Sequence, residues 1–119
     1  MLQERRATPR IRAYRPVRIH PSGNSRVIET LTKDVSEGGL CCLSPVALPV
    51  SSEITLELIL STGQEPLIIQ GKTAWFRTIP ESDQFDIGIS FAEVPQAQQR
   101  HLSTYLDHLS KKLAVSASQ

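Results

Sequence analysis

The chain has 119 residues, which is enough for one domain with a hydrophobic core and too few for two domains of ordinary size. It contains no run of about 20 apolar residues, the length that a membrane-spanning helix requires. Its first ten residues are charged and lack the apolar core of a secretory signal, so we expect a soluble cytoplasmic protein.

The net charge of +1 hides an uneven distribution along the chain. Residues 1–20 carry six arginines and one acidic residue, whereas the remaining 99 residues carry seven basic and eleven acidic side chains. The six are Arg5, Arg6, Arg10, Arg12, Arg15 and Arg18. A guanidinium cluster suits phosphate or guanine, because its planar fork donates paired hydrogen bonds to either. We expect residues 1–15 to form a flexible basic arm, since like charges repel. Composition alone would favour a solvated basic tail.

The body of the chain is predicted to consist of short strands separated by turns. The clearest strand pattern is the period-2 alternation of Phe85, Ile87, Ile89 and Phe91 with smaller or polar residues. Gly71, inside a predicted strand, indicates a β-bulge. Further strands are expected at 17–20, 26–32, 40–43, 53–60 and 67–76. Five or six strands at this spacing predict an antiparallel sheet over residues 16–94, closed into a barrel.

The C-terminal segment changes to a helical period. Apolar residues recur three, four, seven and eleven positions after Leu102, which places them on one face of a helix. They are Tyr105, Leu106, Leu109 and Leu113. We predict a helix over residues 95–114 that packs across an opening of the barrel, followed by a disordered tail at 115–119.

Residue types that could support catalysis or bind a metal are sparse. Cys41 and Cys42 are adjacent in a predicted strand, so we expect one to be buried and the other to face outward, without a zinc site. His101 and His108 have no cysteine or carboxylate at metal-binding spacing, and Ser36 lacks the G-x-S-x-G setting of a hydrolase nucleophile. We therefore expect neither an enzyme nor a protein with a metal or other cofactor.

Two short motifs are informative in combination. The first places Arg6 and Arg10 four residues apart, and the second is the run from Asp34 through Ser36 to Gly39. Paired arginines arise by chance, and Asp-x-Ser before glycine is an ordinary turn. A basic arm followed after 24 residues by Asp-x-Ser-x-x-Gly and a strand-rich body is much more specific.

In these motifs the sequence resembles the PilZ family, whose pattern is R-x-x-x-R followed by [D/N]-x-S-x-x-G. The likeness extends to Trp75 in a central strand, to the strand Gly88-Ile89-Ser90-Phe91 and to the closing helix. The resemblance implies a six-stranded antiparallel PilZ-like β-barrel with a C-terminal α-helix and a flexible N-terminal arm. It also implies that the chain binds cyclic di-GMP (c-di-GMP) and signals to an effector protein, here unidentified.

The chemistry of this ligand agrees with the residue types. Guanine presents O6 and N7 to an arginine fork, and its opposite edge presents N–H donors that suit the Asp34 carboxylate. We assign Arg6 and Arg10 to phosphate and guanine contact, with Arg5 as an auxiliary contact. Asp34, Ser36 and Gly39 are assigned to base recognition, and Trp75 to the rim of the site or to the core with equal weight.

Two alternatives stay open at this point. One is a nucleic-acid-binding barrel that uses the same arginines on a phosphate backbone. Against it, residues 21–119 are net acidic and aromatic residues are few. The other is a PilZ-like protein-interaction module that binds no nucleotide.

Overall fold

The computed structural model describes residues 11–23 and 26–117, with side chains along the last helix only as far as Lys111. This part of the chain forms seven strands and one helix. They are β1 (Ile11–Arg12), β2 (Pro16–Pro21), β3 (Ile28–Val35), β4 (Gly39–Ser44), β5 (Glu53–Leu58), β6 (Leu67–Thr78), β7 (Phe85–Glu93) and α1 (Gln96–Ala117).

Six of the strands close into a barrel. Their order is β3-β2-β5-β6-β7-β4, and β4 pairs again with β3, so that the sheet has no free edge within this ring. All the pairings are antiparallel. The short strand β1 adds to β3 as a seventh strand. The predicted six-stranded barrel with a C-terminal helix is therefore confirmed.

The core follows from the alternation of side chains along the strands. In β5, Ile54, Leu56 and Leu58 are buried while the residues between them are not, which is the pattern expected of a strand with one face toward the core. Leu102 and Leu106 of α1 join the same core cluster, so the helix covers the barrel interior. This confirms the helical apolar face as far as Leu109; the side chain of Leu113 lies outside the described residues.

Three irregularities in strand register shape the barrel. One lies at the step from Gln70 to Gly71, where the glycine predicted an irregularity, but the extra residue is Ala92 of the partner strand β7. A Cβ on Gly71 would lie 2.8 Å from the carbonyl oxygen of Ser90, so the two backbones approach too closely for another residue. The other two, at 32–34 in β3 and 73–75 in β6, were not predicted, because no glycine marks them.

Residues 11 and 12 form β1 and residues 13–15 are hydrogen-bonded to β3, although we expected the flexible arm to reach residue 15. The amide of Ala13 donates to the carbonyl of Lys33 at 3.1 Å, and the amide of Arg15 donates to the hydroxyl of Thr32 at 2.9 Å. The carbonyl of Arg15 accepts from the Thr32 amide at 2.8 Å. This segment is therefore fastened to β3, and residues 1–10 lie outside the described part of the chain.

The helix begins directly after Pro95, whose carbonyl accepts the amide of Gln99 at 2.8 Å. It extends to Ala117, beyond the end at residue 114 that the apolar pattern suggested. Among the described residues, no helix combines the length and apolar character needed to cross a membrane.

Both cysteines are buried, which corrects the expectation that one of them is exposed. Cys42 lies in the core and is fully buried, and burial raises the pKa of its thiol to about 12. Cys41 faces the opposite side of the sheet, as the strand alternation requires, yet it is only 5% exposed. Its neighbour across the strands is Gly88, and the ring of Trp75 lies against that glycine. The predicted alternation was right, but the burial of the outward-facing cysteine depends on tertiary packing and could not be predicted from the sequence.

Candidate functional site

The Asp-x-Ser-x-x-Gly motif forms the connection between β3 and β4. Asp34 and Val35 end β3, and Gly39 begins β4. The Ser36 amide donates to the carbonyl of Gly39 at 2.8 Å. The Ser36 hydroxyl accepts the Gly38 amide at 3.2 Å and donates to the Gly39 carbonyl at 3.3 Å. Ser36 is buried, so its side chain closes this turn from within.

Gly39, which we assigned to base recognition, is required by the packing of the strands. A Cβ at this position would lie 2.3 Å from the carbonyl oxygen of Ile89 in β7. Backbone atoms of a paired strand cannot move aside cheaply, so a side chain here would disturb the pairing of β4 with β7. The need for glycine therefore arises from strand packing, whatever the surface beside the turn binds.

Strand register lines up five residues across five neighbouring strands. Arg12 pairs with Asp34, Asp34 with Cys41, Cys41 with Gly88, and Gly88 with Trp75. Paired residues project on the same face, and this face is the outer one, because the neighbours Leu40 and Cys42 belong to the core cluster while Cys41 does not. We call Arg12, Asp34, Cys41, Gly88 and Trp75 the outer row.

The outer row has larger side chains at its ends and small ones in its middle. Neighbouring strands are about 4.8 Å apart, so Asp34 and Trp75 are separated by three intervals, or about 14 Å. Cys41 and Gly88 lie between them. Asp34 is half-buried, with its Oδ1 atom inaccessible to solvent, while Arg12 is exposed. The row is therefore a shallow surface with polar groups at one end and an aromatic ring at the other.

Three charged residues form a cluster beside this row, which we call the Asp86 cluster. Asp86 of β7 is only 4% exposed. Its Oδ1 atom lies 2.8 Å from Lys33 Nζ of β3, and its Oδ2 atom lies 3.3 Å from Arg77 Nε of β6. The side chains of Lys33 and Arg77 are 41% and 69% exposed. A buried carboxylate thus holds two solvent-facing cations from different strands.

The ionisation of this cluster follows from its contacts. Burial alone would raise the pKa of Asp86, but the hydrogen bonds and positive charges of Lys33 and Arg77 hold that pKa below its ordinary value. The hydrogen bond to Asp86 raises the pKa of Lys33, against the opposing effect of desolvation. Asp86 and Lys33 are therefore both charged at neutral pH.

Trp75 is positioned from two sides. Its ring atoms occupy the space where a Cβ of Gly88 would lie, at 2.2 Å from that position. The guanidinium carbon of Arg77 lies over the ring, 5.4 Å from its centroid. This distance and placement are those of a cation–π contact. The ring is half-buried, and Arg77 links it to the Asp86 cluster.

The structure brings together part of the predicted site. Asp34, Ser36 and Gly39 are contiguous with the outer row, and Trp75 ends it. Arg5, Arg6 and Arg10 lie outside the described residues. Sequence reasoning missed four residues of this surface, because no motif marks them and only strand register assembles them: Arg12, Lys33, Arg77 and Asp86.

The described part of this surface is electrically balanced. The outer row, the turn and the Asp86 cluster together contain three cationic and three acidic residues, so their formal charges cancel. They are Arg12, Lys33 and Arg77 against Asp34, Glu37 and Asp86. Within residues 11–23 and 26–117, no three histidine, cysteine or acidic side chains are grouped so that they could hold a metal ion.

Several solved structures have a similar fold. The chain superposes on the PilZ domain of YcgR from Escherichia coli, solved with c-di-GMP, with a TM-score of 0.72 and 17% identity over 98% of this chain and 99% of that one. It is also similar to the Bacillus subtilis inhibitor of motility MotI/DgrA, with a TM-score of 0.76 and 17% identity, covering 94% of this chain and 53% of that one. The MrkH–c-di-GMP complex of K. pneumonia matches with a TM-score of 0.73 and 18% identity over 99% and 57% of the two chains.

The chain thus spans little more than half the length of MotI/DgrA and MrkH. No curated protein matches its sequence. The model of the PilZ domain family matches residues 4–108, a range that includes the arginine pair, the Asp-x-Ser-x-x-Gly turn, all seven strands and most of the helix. The chain therefore belongs to the PilZ domain family.

Proposed function

We propose that this PilZ domain is a non-enzymatic receptor for c-di-GMP, which it binds on the outer row with the arginines of its N-terminal segment closing over the ligand. The observation that carries the proposal is the pairing of β1 with the end of β3, where Arg12 is the partner of Asp34. This pairing brings the chain that follows the arginine motif to the edge of the Asp-x-Ser turn.

Chain connectivity supports the participation of the arginines. Ile11 is the strand partner of Val35, and Arg10 precedes Ile11 in the chain. Arg6 lies four residues before Arg10, so at most about 14 Å of extended chain separates the two. This reach equals the span from Asp34 to Trp75, and both guanidinium groups can therefore contact a ligand that lies along the outer row.

The charge balance of the site makes these arginines necessary. The described surface has no net charge, whereas c-di-GMP carries two negative phosphates. Arg5, Arg6 and Arg10 would add three positive charges to it. Electrostatic attraction for the ligand then depends on this segment, and each charge-assisted contact is stronger than a neutral hydrogen bond.

The turn supplies base recognition in this proposal. The Asp34 carboxylate accepts hydrogen bonds from the N–H edge of guanine, and Ser36 and Gly39 hold the turn that presents it. Trp75 forms the opposite rim of the site. Ligand binding orders the arginine segment, and the altered surface recruits or releases an effector protein.

Calorimetric titration with c-di-GMP tests the proposal directly, because it gives affinity and stoichiometry together. We expect saturable binding by the wild-type chain. Arg6→Ala and Arg10→Ala each remove a charge-assisted contact of about 2–3 kcal/mol, so each should weaken binding about 30- to 150-fold with little change in Tm. Arg18→Ala is the matched control, since Arg18 lies on β2 and forms a 3.5 Å ion pair with Glu29 away from the outer row. Wild-type affinity in both arm variants would refute the assignment.

Hydrogen exchange tests the ordering step. Ligand should increase the protection of amides in residues 1–10. The amides of Ala13 and Arg15 serve as internal references, because they are already hydrogen-bonded to β3 without ligand. Unchanged protection of residues 1–10 at saturating ligand would contradict the switch while leaving the binding proposal intact.

Competition separates the proposal from its two alternatives. Excess single-stranded DNA should not displace c-di-GMP if the surface is a nucleotide receptor site. Displacement would favour the nucleic-acid-binding barrel, which would use the same arginines on a phosphate backbone. Absence of any c-di-GMP binding would favour a PilZ domain that acts only through protein contacts.

A further inference from the structure

We propose that the outer face of β3, β2, β5 and β6 is the surface on which this domain binds its effector, and that the effector contributes a basic amphipathic helix. The inference rests on the proposed function only in taking the bound protein to be the effector of the receptor. It assigns the contact to five apolar residues, which we call the apolar stripe: Pro16, Leu31, Ile59, Pro66 and Ile68.

The first argument is the continuity of the stripe across the sheet. Leu31 of β3 is the strand partner of Pro16 of β2, and the Ile59 amide donates to the Pro16 carbonyl at 3.1 Å. The register of β5 with β6, continued by one position, sets Ile59 opposite Pro66. Apolar residues therefore follow one another at the ends of four neighbouring strands, over three intervals or about 14 Å.

The second argument is that the stripe is open to solvent. Leu31 and Ile68 are 50% and 42% exposed, Pro16 is also exposed, and Ile59 and Pro66 are half-buried. The five residues line two adjoining shallow grooves, of about 540 and about 500 Å³. Single apolar residues are common on protein surfaces, whereas a contiguous apolar patch is typical of an interaction site.

The third argument is that the stripe is held rigidly. The rings of Pro16 and Pro66 fix their φ angles. The Ile59 carbonyl accepts the Nε–H of Arg15 at 2.9 Å, and its amide is bonded to Pro16, so the middle of the stripe is fastened from both sides. A surface that is already ordered loses little conformational entropy when a partner binds, which favours affinity.

The charge around the stripe indicates the chemistry of the partner. In the part of the chain that the structure describes, the two grooves are lined by one cation, Arg18, and by three acidic residues, Glu29, Glu57 and Glu93. One positive and three negative formal charges leave a net charge of −2. Arg18 is moreover paired with Glu29 at 3.5 Å. Such a rim attracts lysine and arginine side chains and disfavours an acidic partner.

The direction of the stripe selects a helix over an added strand. The stripe runs across the strands, and β2 and β5 are each paired with neighbours on both sides, so they offer no free edge for an extended peptide. On a helix, apolar residues at positions i, i+4 and i+7 span about 10 Å, which fits within the length of the stripe. The polar face of the same helix can carry its basic residues to the glutamates.

The stripe and the ligand surface occupy different halves of the barrel. The outer row crosses β3, β4, β7 and β6, whereas the stripe crosses β3, β2, β5 and β6. An effector helix and c-di-GMP can therefore be bound at the same time, and substitutions in the stripe should leave the affinity for c-di-GMP unchanged.

The test is an NMR titration of the ¹⁵N-labelled full chain with a synthetic helix-forming peptide of about 18 residues, or about 27 Å of helix. The peptide carries leucine at positions i, i+4 and i+7 and lysine on its polar face, and a control peptide has glutamate in place of lysine. We expect amide shift changes at Leu31, Ile59 and Ile68, and about tenfold weaker binding of the glutamate peptide. Shift changes confined to the outer row, or equal binding of the two peptides, would overturn the proposal.

Variants of the chain test the residues of the stripe and its rim. Leu31→Ser and Ile68→Ser should each weaken binding of the lysine peptide about fivefold, because each removes an apolar contact. Val50→Ser is the matched control, since Val50 is 57% exposed but lies before β5, at the opposite end of that strand from the stripe. Glu93→Gln should weaken binding about twofold at low salt, and Asp83→Asn in the β6–β7 connection should not. Wild-type affinity in both serine variants of the stripe would refute the assignment.

Calorimetry with c-di-GMP separates this inference from the receptor proposal. If the wild-type chain binds the peptide on the stripe but does not bind c-di-GMP, the docking surface stands and the receptor proposal fails. Binding of c-di-GMP without binding of the peptide overturns the docking surface alone. Sedimentation velocity gives a further check, because a wild-type dimer that Leu31→Ser dissociates would show that a second copy of the chain covers the stripe and would overturn the effector helix.

Discussion

Replacing Asp86 by asparagine tests the energetics of the buried carboxylate that joins three strands. Asparagine has nearly the same shape, so the change removes charge without leaving a cavity. It weakens the 2.8 Å contact with Lys33 and the 3.3 Å contact with Arg77. The Asp86 side chain is only 6% exposed, but the side chains of its partners are 41% and 69% exposed and can be rehydrated after the loss.

The expected loss of stability in Asp86→Asn follows from this unequal exposure of the partners. A hydrogen bond to a charged group contributes about 1.5–3 kcal/mol when it is shielded, and an exposed ion pair contributes about 0.2–1 kcal/mol. We take the low end of the first range for Lys33 and the low end of the second for Arg77. The variant should then be less stable by about 2 kcal/mol at pH 7, which is a fall in Tm of about 6–10 °C for a domain of this size.

The stability difference between the wild type and Asp86→Asn should decrease in acid. The pKa of Asp86 is lower in the folded protein than in the unfolded chain, so its ionised form stabilises the fold. This contribution is complete above the unfolded pKa of about 3.9 and is lost as pH falls below that value toward the folded pKa. The stability difference between wild type and Asp86→Asn should therefore be constant from about pH 5 to pH 8 and should shrink below about pH 4.

Urea denaturation at several pH values measures this difference. The matched control is Asp107→Asn, because Asp107 pairs with Lys111 at 3.3 Å on the helix surface, with side chains 66% and 78% exposed. That substitution should cost less than about 0.5 kcal/mol. Equal stability of wild type and Asp86→Asn at pH 7 would refute the reasoning, as would a difference that persists unchanged below pH 4.

Three further predictions concern the turn, the first strands and the core. Gly39→Ala should destabilise the domain by about 1–3 kcal/mol in urea denaturation, because its Cβ would lie 2.3 Å from the Ile89 carbonyl oxygen; unaltered stability would contradict this. Thr32→Val should destabilise the domain by about 1–3 kcal/mol and expose the amides of residues 13 and 15 to hydrogen exchange, because the Thr32 hydroxyl is hydrogen-bonded to the backbone of residues 13 and 15. Unaffected exchange would argue against this anchor. The Cys42 thiol, with a pKa of about 12, should resist alkylation at pH 8 until the protein is unfolded; rapid native labelling at Cys42 would show that the core opens.

Much of the fold could be predicted because its signals are local. Each strand or helix of the domain must turn one apolar face toward the core. This requirement produces the alternation in β5 and β7 and the helical spacing from Leu102 to Leu109. Gly71 marked the position of a register shift, although the extra residue lies in β7, and a Cβ on Gly71 would lie too close to the carbonyl oxygen of Ser90. Strand β1 was missed, since two residues are too few for a periodic pattern.

The candidate site was predictable only where chemistry lies in a continuous motif. Asp34, Ser36 and Gly39 occur within six residues, and the turn that they form follows from side-chain hydrogen bonding to nearby backbone. The motif could not reveal that Ser36 is buried in the turn. Nor could it reveal that Gly39 is required by the backbone of β7.

What the sequence by itself determined is the order of strands and helix, the uneven charge and the two motifs of the family, because these depend on residues close together in the chain. Tertiary structure alone decided which residues share the surface beside the turn. Lys33, Arg77 and Asp86 are separated along the chain, and they meet because barrel closure sets the register of β3, β4, β6 and β7. That register is a collective result of core packing, since a slip of one residue would turn every side chain to the opposite face.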